Sequence, residues 1–254
     1  MTKHQVVVHR DGEVLAAAAA ARLITRIVDA QTAHGTASVV LTGGRTGIGV
    51  LEQVRLSPAR DAVDWANVDV YWGDERFLPD GDPERNETQA RTALLDHVGI
   101  DPARVHPMAP SDGKFGADAD AAAAHYAELL ATTAEPAADF PAPRFDVLLL
   151  GVGEEGHTAS LFPATPYVRE EQRAVVGVHD CPKPPPTRIS LTLPAIRSAV
   201  EVWLMTTGAA KAGPVAEALG GAESDDIPAA GAVGRDRTLW LLDPDAAAQV
   251  PHRN

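Results

Sequence analysis

Of the nine histidines in the chain, His157 stands where a histidine can do chemistry. It follows an unbroken apolar run, Val147 to Leu150, and three closely spaced glycines, Gly151, Gly153 and Gly156. Such a run reads as a strand buried on both faces. The turn after it would deliver His157 to the carboxyl edge of a sheet, where open α/β folds bind ligands. Glu155, two residues earlier, could orient the imidazole or stabilise its charged form, a pairing suited to general acid–base catalysis. The plainer alternative is a histidine that caps a helix starting near Thr158. His34, His97, His125 and His252 lie on or near expected helices or at the tail, where packing or surface roles are the default. There is no H-E-x-x-H and no second histidine at ligand spacing, so no metal site is expected. G-x-S-x-G is absent too, which leaves Ser160 without support as a nucleophile.

Charge-bearing turns end the other apolar runs. Thr42-Gly43-Gly44-Arg45-Thr46-Gly47 opens a helix after the run Ser38–Leu41. Glycines that allow close approach, followed by unpaired helix amides, suit a phosphate or an oxyanion. The pattern is neither G-x-G-x-x-G nor a Walker loop, and a tight turn without a ligand reads equally well. Asp74-Glu75-Arg76 follows Val70-Tyr71-Trp72. Charges beside a buried strand end are expensive unless paired or in contact with a ligand, and guanidinium geometry matches phosphate. A solvated, internally paired cluster is the alternative. Arg188 and Lys211 lie near further strand ends and are candidates for the same anion, or else surface charges.

The elements that would position these residues alternate. Strands are expected at Gln5–Arg10 (an edge strand), Ser38–Leu41, Val68–Trp72, Val105–Met108, Val147–Leu150, Val175–Val178, Arg188–Leu193, Val202–Thr206 and Leu239–Leu242. Helices are expected at Gly12–Ala33, from the glycine turn to Leu56, from a capping Asn86 to Val98, at Ala117–Thr132 and at Ala209–Leu219. Pro136–Pro143 reads as a proline-bearing linker and Cys181–Pro186 as a rigid extended loop. Strands alternating with helices predict a three-layer α/β/α, modified Rossmann-like domain with a mainly parallel sheet spanning residues 1–254.

A formal charge of -13 argues against general affinity for nucleic acid or anionic membranes. The N-terminus reads as strand rather than signal peptide, and the run Ala16–Ala21 is too short to span a bilayer. Cys181 is the sole cysteine, which suits a reducing cytoplasm.

Together these stretches resemble the 6-phosphogluconolactonase family of the glucosamine-6-phosphate deaminase-like superfamily. The resemblance is carried by Leu41-Thr-Gly-Gly44 with Thr46, and by Trp72-Gly-Asp-Glu-Arg76 with Pro79 and Asn86. It continues through Gly151–Pro163, Pro185–Thr192 and Gly208-Ala-Ala-Lys211. This chain departs from the family pattern at Arg45 and Gly47, where serine and proline are usual. Glu155 stands in place of Asp, and Arg85 in place of serine. The resemblance implies hydrolysis of a sugar-phosphate lactone, 6-phospho-D-glucono-1,5-lactone, in the oxidative pentose phosphate pathway, with no cofactor and no metal. It implies His157 as base and Glu155 as its support. Gly43, Gly44, Thr46 and Asp74 would face the substrate, and Arg76 and Lys211, with Arg188 as a third cation, would hold the 6-phosphate. A cytoplasmic monomer without nucleic-acid or membrane partners is expected. The rival activity is that of the glucosamine-6-phosphate deaminases, which resemble this chain but carry a glutamate five residues after the histidine; here Phe162 occupies that position. A non-catalytic sugar-phosphate sensor is the other alternative, although related regulators carry an N-terminal helix-turn-helix and only four residues precede the first expected strand.

Overall fold

The computed structural model describes residues 3–134 and 140–251, so the extreme N-terminus, the first half of the expected linker Pro136–Pro143 and His252 lie outside the described residues. Six strands form one sheet: β1 (Lys3–Val8), β2 (Ala37–Leu41), β3 (Val68–Trp72), β5 (Val147–Gly151), β8 (Glu201–Thr206) and β9 (Arg237–Leu242). They lie in the order β1-β9-β8-β5-β2-β3, and each neighbouring pair is parallel. β1 is an edge strand, as the weak alternation of its valines predicts.

Because side chains alternate across a strand, the sheet feeds two cores. Val39, Leu41, Val70, Trp72 and Trp203 pack under α1 (Gly12–His34) and α2 (Gly44–Leu56). Their sequence neighbours Val40, Tyr71 and Leu204, with Leu148 and Leu150, face the other way, onto α4 (Ala119–Thr133) and the segment around α5 (Ala212–Gly220). Val147–Leu150 must serve both cores at once, which is why it carries no polar residue; each of its side chains is at most 1% exposed. These are the three layers expected. Asp11 caps α1 by accepting from the Val14 amide, and Gly35 closes it at φ 84, a left-handed conformation that favours glycine.

A second sheet departs from the prediction. Asp74–Arg76, expected as a charged loop, forms a short strand, β4, antiparallel to β7 (Arg188–Leu191), which pairs in turn with β6 (Val175–Val178). The triplet's polar side chains hide this pairing, which joins backbone segments more than a hundred residues apart. Four further expectations are corrected. Asn86 does not cap α3 (Asn86–Ala93); it is the first helical residue, because the carboxylate of Glu75 accepts the Asn86 and Glu87 amides instead. The helix stops at Ala93 rather than Val98, and a 3-10 turn follows. Val105–Met108 contributes one bridge, Val105 to Val70, and not a strand. No helix begins at Thr158: its hydroxyl bonds the Gly151 carbonyl at 2.9 Å and the chain reverses into a bridge to Leu161.

Candidate active site

Four adjacent strands of the large sheet, β8, β5, β2 and β3, end beside one another, and the turns that follow line a cleft of about 550 Å³. His157 enters from the loop after β5. Its ring lies so close to Gly153 that a Cβ there would sit 2.0 Å from Nδ1 and Cε1, and Phe162 stacks on the ring at 4.2 Å between centroids. The imidazole is thus held in a slot one glycine wide. Its Nδ1 meets Glu155 Oε2 at 3.0 Å, leaving Nε2 for the cleft that His157 lines. Glu155 stands behind the histidine rather than in the cleft wall, and its second oxygen meets Lys183 Nζ at 3.0 Å. Burial alone would raise the Glu155 carboxyl, but hydrogen bonds from Lys183, its own backbone amide and His157 bring it down to about 2. An ionised Glu155 accepts the Nδ1 proton, which fixes the tautomer whose Nε2 is a free base. For His157 itself, burial is the largest effect and lowers its pKa below 6.5, assisted by the charge of Lys183 and opposed by Glu155.

The glycine turn does what its residue types suggest. Gly43 is the N-cap of α2 with no side-chain cap bond, so the helix presents its first amides to the cleft. A Cβ at Gly43 would lie 1.8 Å from Asn86 Oδ1. Asn86 packs against the turn and also accepts from Arg76 Nη1, while its Nδ2 donates to the Asp74 carbonyl at 2.7 Å. One amide side chain therefore fixes the glycine turn, β4 and the Arg76 guanidinium relative to each other. Gly44 and Thr46 line the same cleft. So does Gly47, where a Cβ would meet the Thr42 carbonyl oxygen at 2.6 Å. Arg45, exposed and without a partner among the described residues, lines it as well.

The remaining predicted residues also converge here, some with structural duties. Asp74 is buried and accepts from Ser160 Oγ at 2.7 Å, tying the histidine loop to β4. The Arg188 guanidinium donates to the carbonyls of Lys183, Pro184 and Pro185, at 3.0 to 3.2 Å, so it braces the proline loop while lining the cleft. Lys211 bonds Glu154 Oε1 at 3.0 Å. Beneath them Glu75 is 1% exposed, and burial raises its carboxyl to about 7 against the pull of Arg85 and three backbone amides. Sequence reasoning passed over Lys183, whose position in a proline run held no sign that Arg188 would fold that run over the histidine. Five cations, Arg45, Arg76, Lys183, Arg188 and Lys211, line the cleft against one carboxylate, Asp74. In a chain of net charge -13, that concentration marks an anion site. Among the described residues, no three His, Cys, Asp or Glu side chains cluster as a metal site.

A family model described as Glucosamine-6-phosphate isomerases/6-phosphogluconolactonase matches residues 10–240. The chain belongs to this family. It is 64% identical over 247 residues to the 6-phosphogluconolactonase of Streptomyces coelicolor, spanning 97% of this chain and 95% of that one. The solved 6-phosphogluconolactonase of Trypanosoma brucei aligns with a TM-score of 0.83 at 26% identity, covering 99% of this chain and all of that one. A monomeric glucosamine-6-phosphate deaminase aligns with a TM-score of 0.78 at 21% identity, over 96% of this chain and 99% of that one. Its fold is the same, so within the family the choice of reaction rests on the side chains of the cleft.

Proposed function

We propose that the chain hydrolyses 6-phospho-D-glucono-1,5-lactone to 6-phospho-D-gluconate, the lactonase step of the oxidative pentose phosphate pathway, and that His157 is its general base. The observation that carries this reading is the imidazole whose Nδ1 is held by an ionised carboxylate and whose other nitrogen faces a cationic cleft. Nε2 takes a proton from water as the water oxygen adds to C1, and the carbonyl becomes a tetrahedral oxyanion. Collapse re-forms the carbonyl and breaks the bond from C1 to the ring oxygen, which receives the proton from His157. The open amides at Gly43 and Gly44 face the substrate, and Thr46 and Asp74 border it. Arg76, Lys211 and Arg188 supply charge for the 6-phosphate, which anchors the ring so that C1 meets the base.

Phe162 separates this activity from the deaminase reading. The position where the deaminases carry a ring-opening glutamate holds an aromatic ring stacked on the imidazole, so no carboxylate stands there. The sensor reading leaves the oriented base without a purpose. No cofactor enters this mechanism. A single domain acting as a monomer in the cytoplasm accompanies the reading, supported by one buried cysteine that suits a reducing compartment.

The test generates the lactone in place with glucose-6-phosphate dehydrogenase and follows 6-phosphogluconate with and without the protein, in EDTA. Acceleration over spontaneous hydrolysis that survives EDTA is expected. A folded protein that gives none would overturn the assignment and direct the next assay to glucosamine 6-phosphate.

A further inference from the structure

The two lysines of the cleft differ in what they hold. Lys211 pairs with Glu154, an exposed acid that touches no reacting group, and a phosphate can displace it. Lys183 pairs with the carboxylate that orients the base. Glu155 gives one oxygen to His157 Nδ1 and the other to Lys183 Nζ, both at 3.0 Å. The lysine's backbone is held in turn: Arg188 donates to the carbonyls of residues 183, 184 and 185, and its Nη1 reaches Ser160 Oγ at 3.4 Å. Ser160 donates to Asp74 at 2.7 Å, three residues beyond the histidine. The proline loop and the histidine loop are thus locked together at both ends of a short circuit.

We propose that Lys183 is a positioning residue for the base: it locks Glu155 in the rotamer that meets Nδ1 and so sets both the direction and the protonation of His157, rather than serving as a phosphate ligand. This deepens the lactonase reading and rests on it. A carboxylate with one partner can rotate away, and Glu155 is half exposed, so without the lysine water would take its place. Two consequences follow on removal. The imidazole loses a rigid partner, and a positive charge that opposes its protonation disappears. The other charged groups around the ring stay: Glu155 on its own loop, Asp74 on β4, Arg188 on β7 and the Lys211–Glu154 pair beside it. Loss of the lysine's charge raises the pH at which His157 protonates, whereas loss of the Glu155 hydrogen bond lowers it, so a displaced midpoint reports that Lys183 governs the ring.

Lys183→Met, Lys183→Arg and Lys211→Met are compared with the wild type. For Lys183→Met the expected result is a kcat roughly three- to tenfold lower at both pH 6 and pH 8, since the base loses its orientation at either pH, with KM changed less than about twofold. Lys183→Arg should restore most of kcat, since a guanidinium can span the same gap. Lys211→Met should raise KM instead. Independently of turnover, an NMR titration of the His157 ring should show its midpoint displaced in Lys183→Met from that of the wild type. Raised KM with kcat and the imidazole midpoint unchanged would make Lys183 a phosphate ligand and overturn the inference; so would no change in any quantity. If wild-type protein shows no lactonase activity the proposed function fails, yet the ring titration still decides whether Lys183 governs His157.

Discussion

At the scale of the residue, the site depends on an imidazole with very little freedom. Gly153 and Phe162 both crowd the ring, and Glu155 holds its Nδ1. Removing the proposed base, His157→Ala, should lower kcat about 10²–10⁴-fold while thermal unfolding stays near wild type; near-normal turnover of the folded variant would remove the histidine from the mechanism. Gly153→Ala tests the slot itself. Its methyl would lie 2.0 Å from Nδ1 and Cε1, so the ring must shift, and kcat should fall at least about tenfold with KM little changed. A Gly153→Ala enzyme with normal kcat would show that ring orientation does not matter. The pH profile follows from the sign of the histidine's shift. Burial first, then Lys183, lowers its pKa, so the base form persists below 6.5. The acid limb of the activity profile should therefore have its midpoint below pH 6.5. The same depression gives His157 a contribution to folding that is complete above 6.5 and is lost as pH falls through its lower folded value. A rate already halved at pH 6.5, with chemistry limiting, would contradict the shift.

At the scale of the element, Glu75 holds β4 and α3 together by accepting the amides of Arg76, Asn86 and Glu87 at 2.7 to 2.9 Å, with the buried Arg85 guanidinium 3.8 Å away. Deleting it strands three amides and weakens the pairing of a guanidinium that is wholly buried, though Glu87 remains 3.3 Å from it. Glu75→Ala should cost about 2–4 kcal/mol by chemical denaturation and should raise KM, because Arg76 and Asn86 lose their anchor. A loss under about 1 kcal/mol would show the cluster to be dispensable. Little of this arrangement is legible in the sequence. Val147–Leu150 announces its strand because burial on both faces excludes polar residues, and Gly43 and His157 announce their turns. Asp74–Arg76 has the composition of a loop. It becomes a strand only because β7 lies opposite, a partner that no local pattern specifies. Glu155 is legible through its spacing from His157, whereas Lys183 becomes meaningful only once Arg188 has folded the proline run across the site.

At the scale of the whole molecule, the charge balance sets two effects in opposition. The chain carries a net charge of -13, yet its cleft gathers five cations around one carboxylate. Over long distances the protein repels itself and any phosphorylated substrate, while within the cleft the nearby cations dominate because they are close and partly shielded from water. Salt acts on both. Raising ionic strength from about 10 mM to about 100 mM shortens the screening length from about 30 Å to about 10 Å, which relieves repulsion among the surface carboxylates. The melting temperature at pH 8 should therefore rise, by about 2–4 °C for each kcal/mol of repulsion removed. The same salt competes for the cations proposed to hold the phosphate, so KM should rise as the protein becomes more stable. Measuring both quantities across one salt series separates the contributions. If the melting temperature fell instead, the paired charges of the surface would outweigh the net repulsion. If KM fell, relief of the long-range repulsion would outweigh competition at the cleft's cations.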